Sequence, residues 1–278
     1  IAIGAAGGNQ ATASVLEAIA IGANTNAAGA QSTVIGNDIG ANASAIQAVV
    51  IGSNFNSNQI IVTGKGGVSV GSGLTSALDS PTANGIGSVA IGSSGDGTTN
   101  SFNGAIATGN HALALMAGAN ASNVNTIAIG VASEASANNA LGLGANSTAN
   151  ATYTTAIGSG GTTTATATQA TADGALALGG NATAGAKASA ANAIAIGGAT
   201  NALAAYSVAI GAESQIGTGA ERSVAIGYQA KVANSFLDSV AIGYNANATG
   251  GNGAFAIGAS SLANGNNALA LGTSSRAN

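Results

Sequence analysis

Cysteine and tryptophan are absent from the 278 residues, and proline and histidine occur once each. Without a thiol there is no disulfide, no thiolate nucleophile, no iron–sulfur cluster and no Cys-ligated zinc. A single histidine, His111, excludes a multi-His metal site and a pair of His acid–base groups. Charge is nearly as scarce: 5% of the residues are charged, against about 25% in an ordinary soluble domain. The water-facing surface is therefore built from Ser, Thr, Asn, Ala and Gly. Only Lys65, Lys187, Lys231, Arg222 and Arg276 are cationic, and the net charge is −4. That lacks the basic footprint of a nucleic-acid or acidic-membrane binder. No apolar run approaches the roughly 18 residues of a membrane helix, and Ile1-Ala2-Ile3-Gly4 lacks the basic and apolar regions of a signal peptide. Direct membrane insertion of this segment is not expected.

What the chain has is glycine, 44 residues of it, together with a hydrophobic content of 46%. A disordered low-complexity tract would be far less hydrophobic, so aliphatic side chains are buried somewhere. A repeat explains where. The unit aliphatic-Ala-aliphatic-Gly recurs with its glycine at Gly4, Gly22, Gly36, Gly52, Gly71, Gly92, Gly130, Gly144, Gly158, Gly179, Gly197, Gly211, Gly227, Gly243, Gly258 and Gly272. Leu113-Ala114-Leu115-Met116 fits the same pattern with Met116 in the glycine slot, which makes 17 rungs whose steps cluster at 14 to 16 residues.

The alternation within the unit is the period of a strand, in which successive side chains face opposite sides. One side carries Ile, Val and Leu, the other a row of alanine methyls. Strands that are apolar on both sides read as buried on both, and a glycine in every unit with β-branched residues at period 2 does not make a helix. Small residues seven positions past the anchor, such as Gly29, Ala204 and Gly265, divide each unit into two half-turns. The expectation is an all-β parallel β-roll or solenoid with coils of about 14 residues, its corners supplied by Gly and Asn, as in Asn266-Asn267 and Gly250-Gly251-Asn252-Gly253. The predicted domain spans residues 1–278, with irregular or inserted segments near 53–66, 72–87, 93–105 and 159–173. The alanine-lined side of the repeat strand is expected to remain as an apolar strip through which copies associate.

Ser207-Val208-Ala209-Ile210-Gly211, Ser223-Val224-Ala225-Ile226-Gly227 and Ser239-Val240-Ala241-Ile242-Gly243 resemble the SVAIG head repeats of trimeric autotransporter adhesins of Gram-negative bacteria. The resemblance spans nearly the whole chain and rests on a motif repeated many times. It implies a left-handed roll, a homotrimer, and display on the cell surface through a stalk and outer-membrane anchor outside this segment. It implies attachment to matrix proteins such as collagen, to host or bacterial cells or to abiotic surfaces, with autoagglutination as a related activity. Neither handedness nor threefold association follows from the periodicity. Alternative readings are a structural spacer of a surface fibre and an ice-binding β-solenoid; a solenoid acyltransferase fits poorly, because its hexapeptide period and catalytic His do not match a 14-residue period.

Enzyme-like motifs dissolve into the repeat. Gly67-Val68-Ser69-Val70-Gly71 has the form of a nucleophile elbow, but Ser69 occupies the slot filled by Ala in other rungs. His111 reads as an exposed turn residue. The nine acids form no calcium loop, and Gly95-Asp96-Gly97 reads as a turn. Sequons such as Asn42-Ala43-Ser44 follow from composition. The Thr162 to Thr168 run, inside one long step, reads as an insertion rather than an ice-binding array. No catalytic residue, metal ligand or cofactor is expected. The candidate ligand contacts are Tyr228 and Tyr244, which follow anchor glycines in consecutive 16-residue rungs, Phe102 and Phe236 in longer steps, and Lys231, for which Asp238 is a possible partner.

Overall fold

A computed structural model describes residues 1–4, 10–41, 45–54, 60–73, 80–94, 102–160, 163 and 165–278. Every regular element among them is a β-strand, two to six residues long. The chain divides into two units, Ile1–Asn139 and Ala140–Asn278.

In the first unit the motif strands include Ile19–Ile21, Thr33–Asn37, Val49–Asn54, Val68–Gly73, Val89–Ile91, Leu113–Leu115 and Ile127–Ile129. Each pairs in parallel with the strand one coil away, in register: Ala90 lies opposite Ser69 on one side and Ala114 on the other. A second set of shorter strands, such as Asn26–Ala27, Ile106–Ala107 and Asn120–Ala121, closes each coil from the opposite side. The second unit repeats the plan. Val208–Ile210, Val224–Ile226 and Val240–Ile242 stack in register through Ala209, Ala225 and Ala241, and the short strands Asn201–Ala202, Gln215–Ile216, Lys231–Val232 and Asn247–Ala248 form the facing sheet. Each unit is a parallel β-solenoid, and the motif strands stand where the repeat places them.

The core departs from expectation in one respect. The middle alanine of each motif points inward: Ala20, Ala90, Ala114, Ala128, Ala156, Ala195, Ala209 and Ala241 are all fully buried. The flanking aliphatics point outward, and Ile35, Ile51, Ile91, Leu143, Leu178, Ile226 and Ile242 are exposed. The strip left on the surface is therefore made of isoleucine, leucine and valine, and the alanine row is the core. The reason is the width of the coil. Two strands of two or three residues, joined by tight turns, leave room between them for methyl and hydroxymethyl groups only; the facing strand contributes Ala121, Ala202 and Ala248 from its own side. Where the motif strands lengthen to five or six residues, Val34 and Val50 replace alanine and meet a core that includes Ile39, Ile60 and Val62. In the second unit Ile216 and Val232 enlarge the core in the same way, within the 16-residue coils.

Two devices turn the chain. Anchor glycines let successive coils approach closely: at Gly211, with φ 119°, an added Cβ would lie 2.6 Å from the carbonyl oxygen of Gly227. Met116 holds the same slot at φ 85°, as the repeat places it. The corners then use a left-handed residue that is seldom glycine, including Asn24, Asp38, His111, Asn125, Glu213, Arg222, Gln229, Asp238 and Asn267. Buried hydroxyls close the turns. The serine that opens the motif points inward and donates to a nearby turn carbonyl, as from Ser207 Oγ to Ala204 O at 2.6 Å, and Thr126 does the same to Asn123 O at 2.6 Å. Burying these hydroxyls without partners would cost several-fold more than the bonds return.

Candidate binding surfaces

Three kinds of surface follow from this construction. The first is the aliphatic strip outside the motif strands. It is present in both units, and it ends in the second with Leu269 and Leu271, 61% and 68% exposed. No described residue of the coil covers its exposed members.

The second surface is the corners, where equivalent side chains of successive coils stand above one another and pair. Gln31 donates to Glu17 at 2.7 Å, and Gln47 donates to Gln31 at 3.1 Å. Asn125 donates to Asn139 at 3.1 Å. In the second unit Arg222 grips Asp238 with two bonds, Nε to Oδ1 at 2.7 Å and Nη2 to Oδ2 at 2.8 Å. This guanidinium bond holds the Asp238 carboxyl below its ordinary range and raises the Arg222 pKa in turn. The expected Lys231–Asp238 pair does not form; a corner residue is in register with the corner one coil away, and Lys231 lies on the facing sheet instead. These ladders were not anticipated from the sequence, although polar residues recur two positions before the first residue of several motif strands.

The third surface is the outside of the facing sheet in the second unit. Asn201, Gln215, Lys231 and Asn247 occupy equivalent outward positions of consecutive strands. Two cavities open here. One, of about 350 Å³, is lined in part by Leu203, Gly217, Lys231 and Asn234; the other, of about 330 Å³, by Glu213, Gln229, Lys231 and Asn245; Gln215 borders both. The two extra residues of the 16-residue coils follow Ile216 and Val232 and help to form the first hollow.

Of the candidate contact residues, the structure pairs two and places a third in the hollow that Gln229 joins to them. Tyr228 and Tyr244 stack with ring centroids 5.8 Å apart and an interplanar angle of 21°. Gln229 joins them to the second cavity: its Nε2 donates to Glu213 Oε2 at 2.8 Å and to the Tyr228 hydroxyl at 3.3 Å. Lys231 is exposed on the wall common to both cavities. Phe236 is half-buried, with its carbonyl accepting from Ser223 Oγ at 3.2 Å. Phe102, in the first unit, is half-buried over Gly118, where an added Cβ would come within 3.2 Å of its ring.

The enzyme-like motifs are structural. Ser69 is buried in the alanine row and donates to Pro81 O at 2.9 Å. His111 is an exposed left-handed corner with φ 57°. Among the described residues no group of three or more His, Asp or Glu side chains is placed to hold a metal ion. Asp96 with its flanking glycines, the Asn42 sequon, Thr162 and Thr164 lie outside the described residues.

The model of the YadA head domain repeat matches residues 16–38, 121–141, 135–160, 188–214, 237–261 and 250–275. No curated protein matches the chain in sequence. The matched segments coincide with motif strand, glycine turn and facing strand in both units, and these repeats match the head domain of the trimeric autotransporter adhesins, a family of surface-exposed adhesins of Gram-negative bacteria.

Proposed function

We propose that the chain is the adhesive head of a surface fibre, in which three copies associate through the aliphatic strip and present the facing sheet and corners outward. The observation that carries this reading is the inversion of the repeat: Ile226 and Ile242 are exposed while Ala225 and Ala241 are fully buried. An apolar strip recurring from coil to coil is the kind of surface that marks an interaction site, and cyclic symmetry closes a strip that runs along each copy. The roll is left-handed in this reading, as in its family, and the fibre is anchored in the outer membrane by a stalk and anchor beyond this segment.

The attachment is non-enzymatic. Its targets are matrix proteins such as collagen, host or bacterial cells, or abiotic surfaces, and head-to-head contact gives autoagglutination. Weak contacts repeated along the coils and in three copies raise the effective concentration of each further contact, so avidity exceeds any single affinity by about 10²–10⁴-fold. Low charge reduces the desolvation cost of each contact.

The test is adherence of the isolated head, coupled to beads at fibre-like density, to collagen-coated, cell-coated and bare plastic surfaces. Adherence to any of these above uncoupled beads supports the reading. Failure on all three, with adherence retained by the intact fibre, makes the head a spacer.

A further inference from the structure

The cluster around Tyr228 is unlike the rest of the surface. The stack is two rings deep, because the equivalent positions in the coils before and after are Ala212 and Ala259. Tyr228 and Tyr244 are 43% and 57% exposed, so each ring is open to a ligand at the margin of the stack. Next to Tyr228, and linked to it through Gln229, lie a carboxylate, an ammonium group and four primary amides in one hollow of about 330 Å³, within the roughly 300–1,000 Å³ typical of small-molecule sites. Gln229 already bridges Glu213 and the Tyr228 hydroxyl, which fixes the polar edge of the hollow before any ligand arrives. Arg222 takes Asp238, and Lys231 has no ion-pair partner among the described residues.

We propose that this hollow, with the Tyr228–Tyr244 stack joined to it through Gln229, is a saccharide-binding site for neutral pyranose rings, its polar wall supplied by Glu213, Gln215, Gln229 and Lys231. The proposal rests on the adhesin reading above and names the class of ligand the head recognises. A pyranose has a face of C–H groups and a rim of hydroxyls, each both donor and acceptor. The aromatic pair meets the first, with its large apolar area and polar tip. The rim requires donors and acceptors side by side: Glu213 accepts, Lys231 donates, and the Gln215 and Gln229 amides do both. Charge selects against acidic sugars. Lys231 shares the hollow with Glu213, so the site is balanced, and the chain carries a net −4. Nor does the lining suit an apolar peptide side chain, since all six residues of the second cavity are polar or charged.

The probe is a panel of neutral mono- to tetrasaccharides of the hexose and N-acetylhexosamine types with their sialylated and sulfated counterparts, presented on an array to the 278-residue chain and followed by calorimetry. A neutral member binds, with affinity little changed between low and high salt. Tyr228→Ala, Tyr244→Ala and Gln229→Ala each weaken it by about tenfold or more, a measurable 1.4 kcal/mol, with the circular dichroism melt retained as proof of folding. Tyr153→Ala and Tyr206→Ala, at exposed corners elsewhere in the unit, leave binding unchanged. The proposal is overturned if no panel member binds, if only acidic glycans bind with steep salt dependence, or if the Tyr153 and Tyr206 variants lose as much as the Tyr228 variant. A head that adheres to coated surfaces yet binds no saccharide keeps the adhesin reading and loses this site. A head that neither adheres nor binds a saccharide loses both.

Discussion

Ala225 and Ile226 are neighbours in one strand and face opposite ways, the first wholly inside the coil and the second 36% exposed. The larger side chain is outside because the facing strands on either side already fill the narrow space between the two sheets with Ile216 and Val232, which leaves Ala225 room for a methyl group. Ala225→Leu therefore overpacks the core and lowers stability by about 1–3 kcal/mol. Ile226→Ser, one residue on, leaves the coil folded and weakens only association between copies. Denaturant unfolding at fixed protein concentration, alongside solution mass, separates the two outcomes.

Gly211 and Met116 hold equivalent slots with opposite consequences. Gly211→Ala sets a methyl 2.6 Å from Gly227 O at φ 119°, where L residues are strained, and destabilises by more than about 1 kcal/mol. Met116→Gly removes a side chain that is 51% exposed from a positive φ, and stability rises by about 1 kcal/mol. Thermal melts of the two variants move in opposite directions.

The strands, their parallel pairing and their register were legible in the sequence, because a motif that returns every 14 to 16 residues admits little else. Ser69 and Met116 were assigned to the alanine and glycine slots from spacing alone, and both stand there. Which side of the strand faces inward was not legible. Alternation tells that Ala225 and Ile226 point apart, but the choice between them depends on the separation of the two sheets, a property of the closed coil. The habit of placing the larger apolar group inside gives the wrong answer for so thin a core. The Tyr228–Tyr244 pair followed from register, whereas its link through Gln229 to Glu213 required the corner conformation. Lys231 was matched with Asp238 on sequence proximity; stacking in register gave that carboxylate to Arg222, one full coil away.

The Arg222–Asp238 bond makes a pH-dependent prediction. The folded chain holds the Asp238 carboxyl below the ordinary carboxylate range, chiefly because Arg222 hydrogen-bonds its charged form. A carboxyl whose folded pKa is below its unfolded value adds stability above the unfolded value, and that stability is lost as the pH falls through the folded one. Both groups are exposed, so the effect is small and shrinks with added salt. A carboxyl-detected NMR titration places Asp238 below an ordinary aspartate, and Arg222→Gln returns it toward the ordinary range; an unchanged titration in the variant would remove the pair as the cause.

The central claim is that the exposed aliphatic strip is a contact between copies, and sedimentation equilibrium across concentration tests it directly. The account predicts three times the 25.6 kDa chain mass, falling toward a single folded chain in the Ile226→Asp, Ile242→Asp double variant. A wild-type chain that stays at 25.6 kDa at every concentration, or a trimer indifferent to the two aspartates, would contradict it.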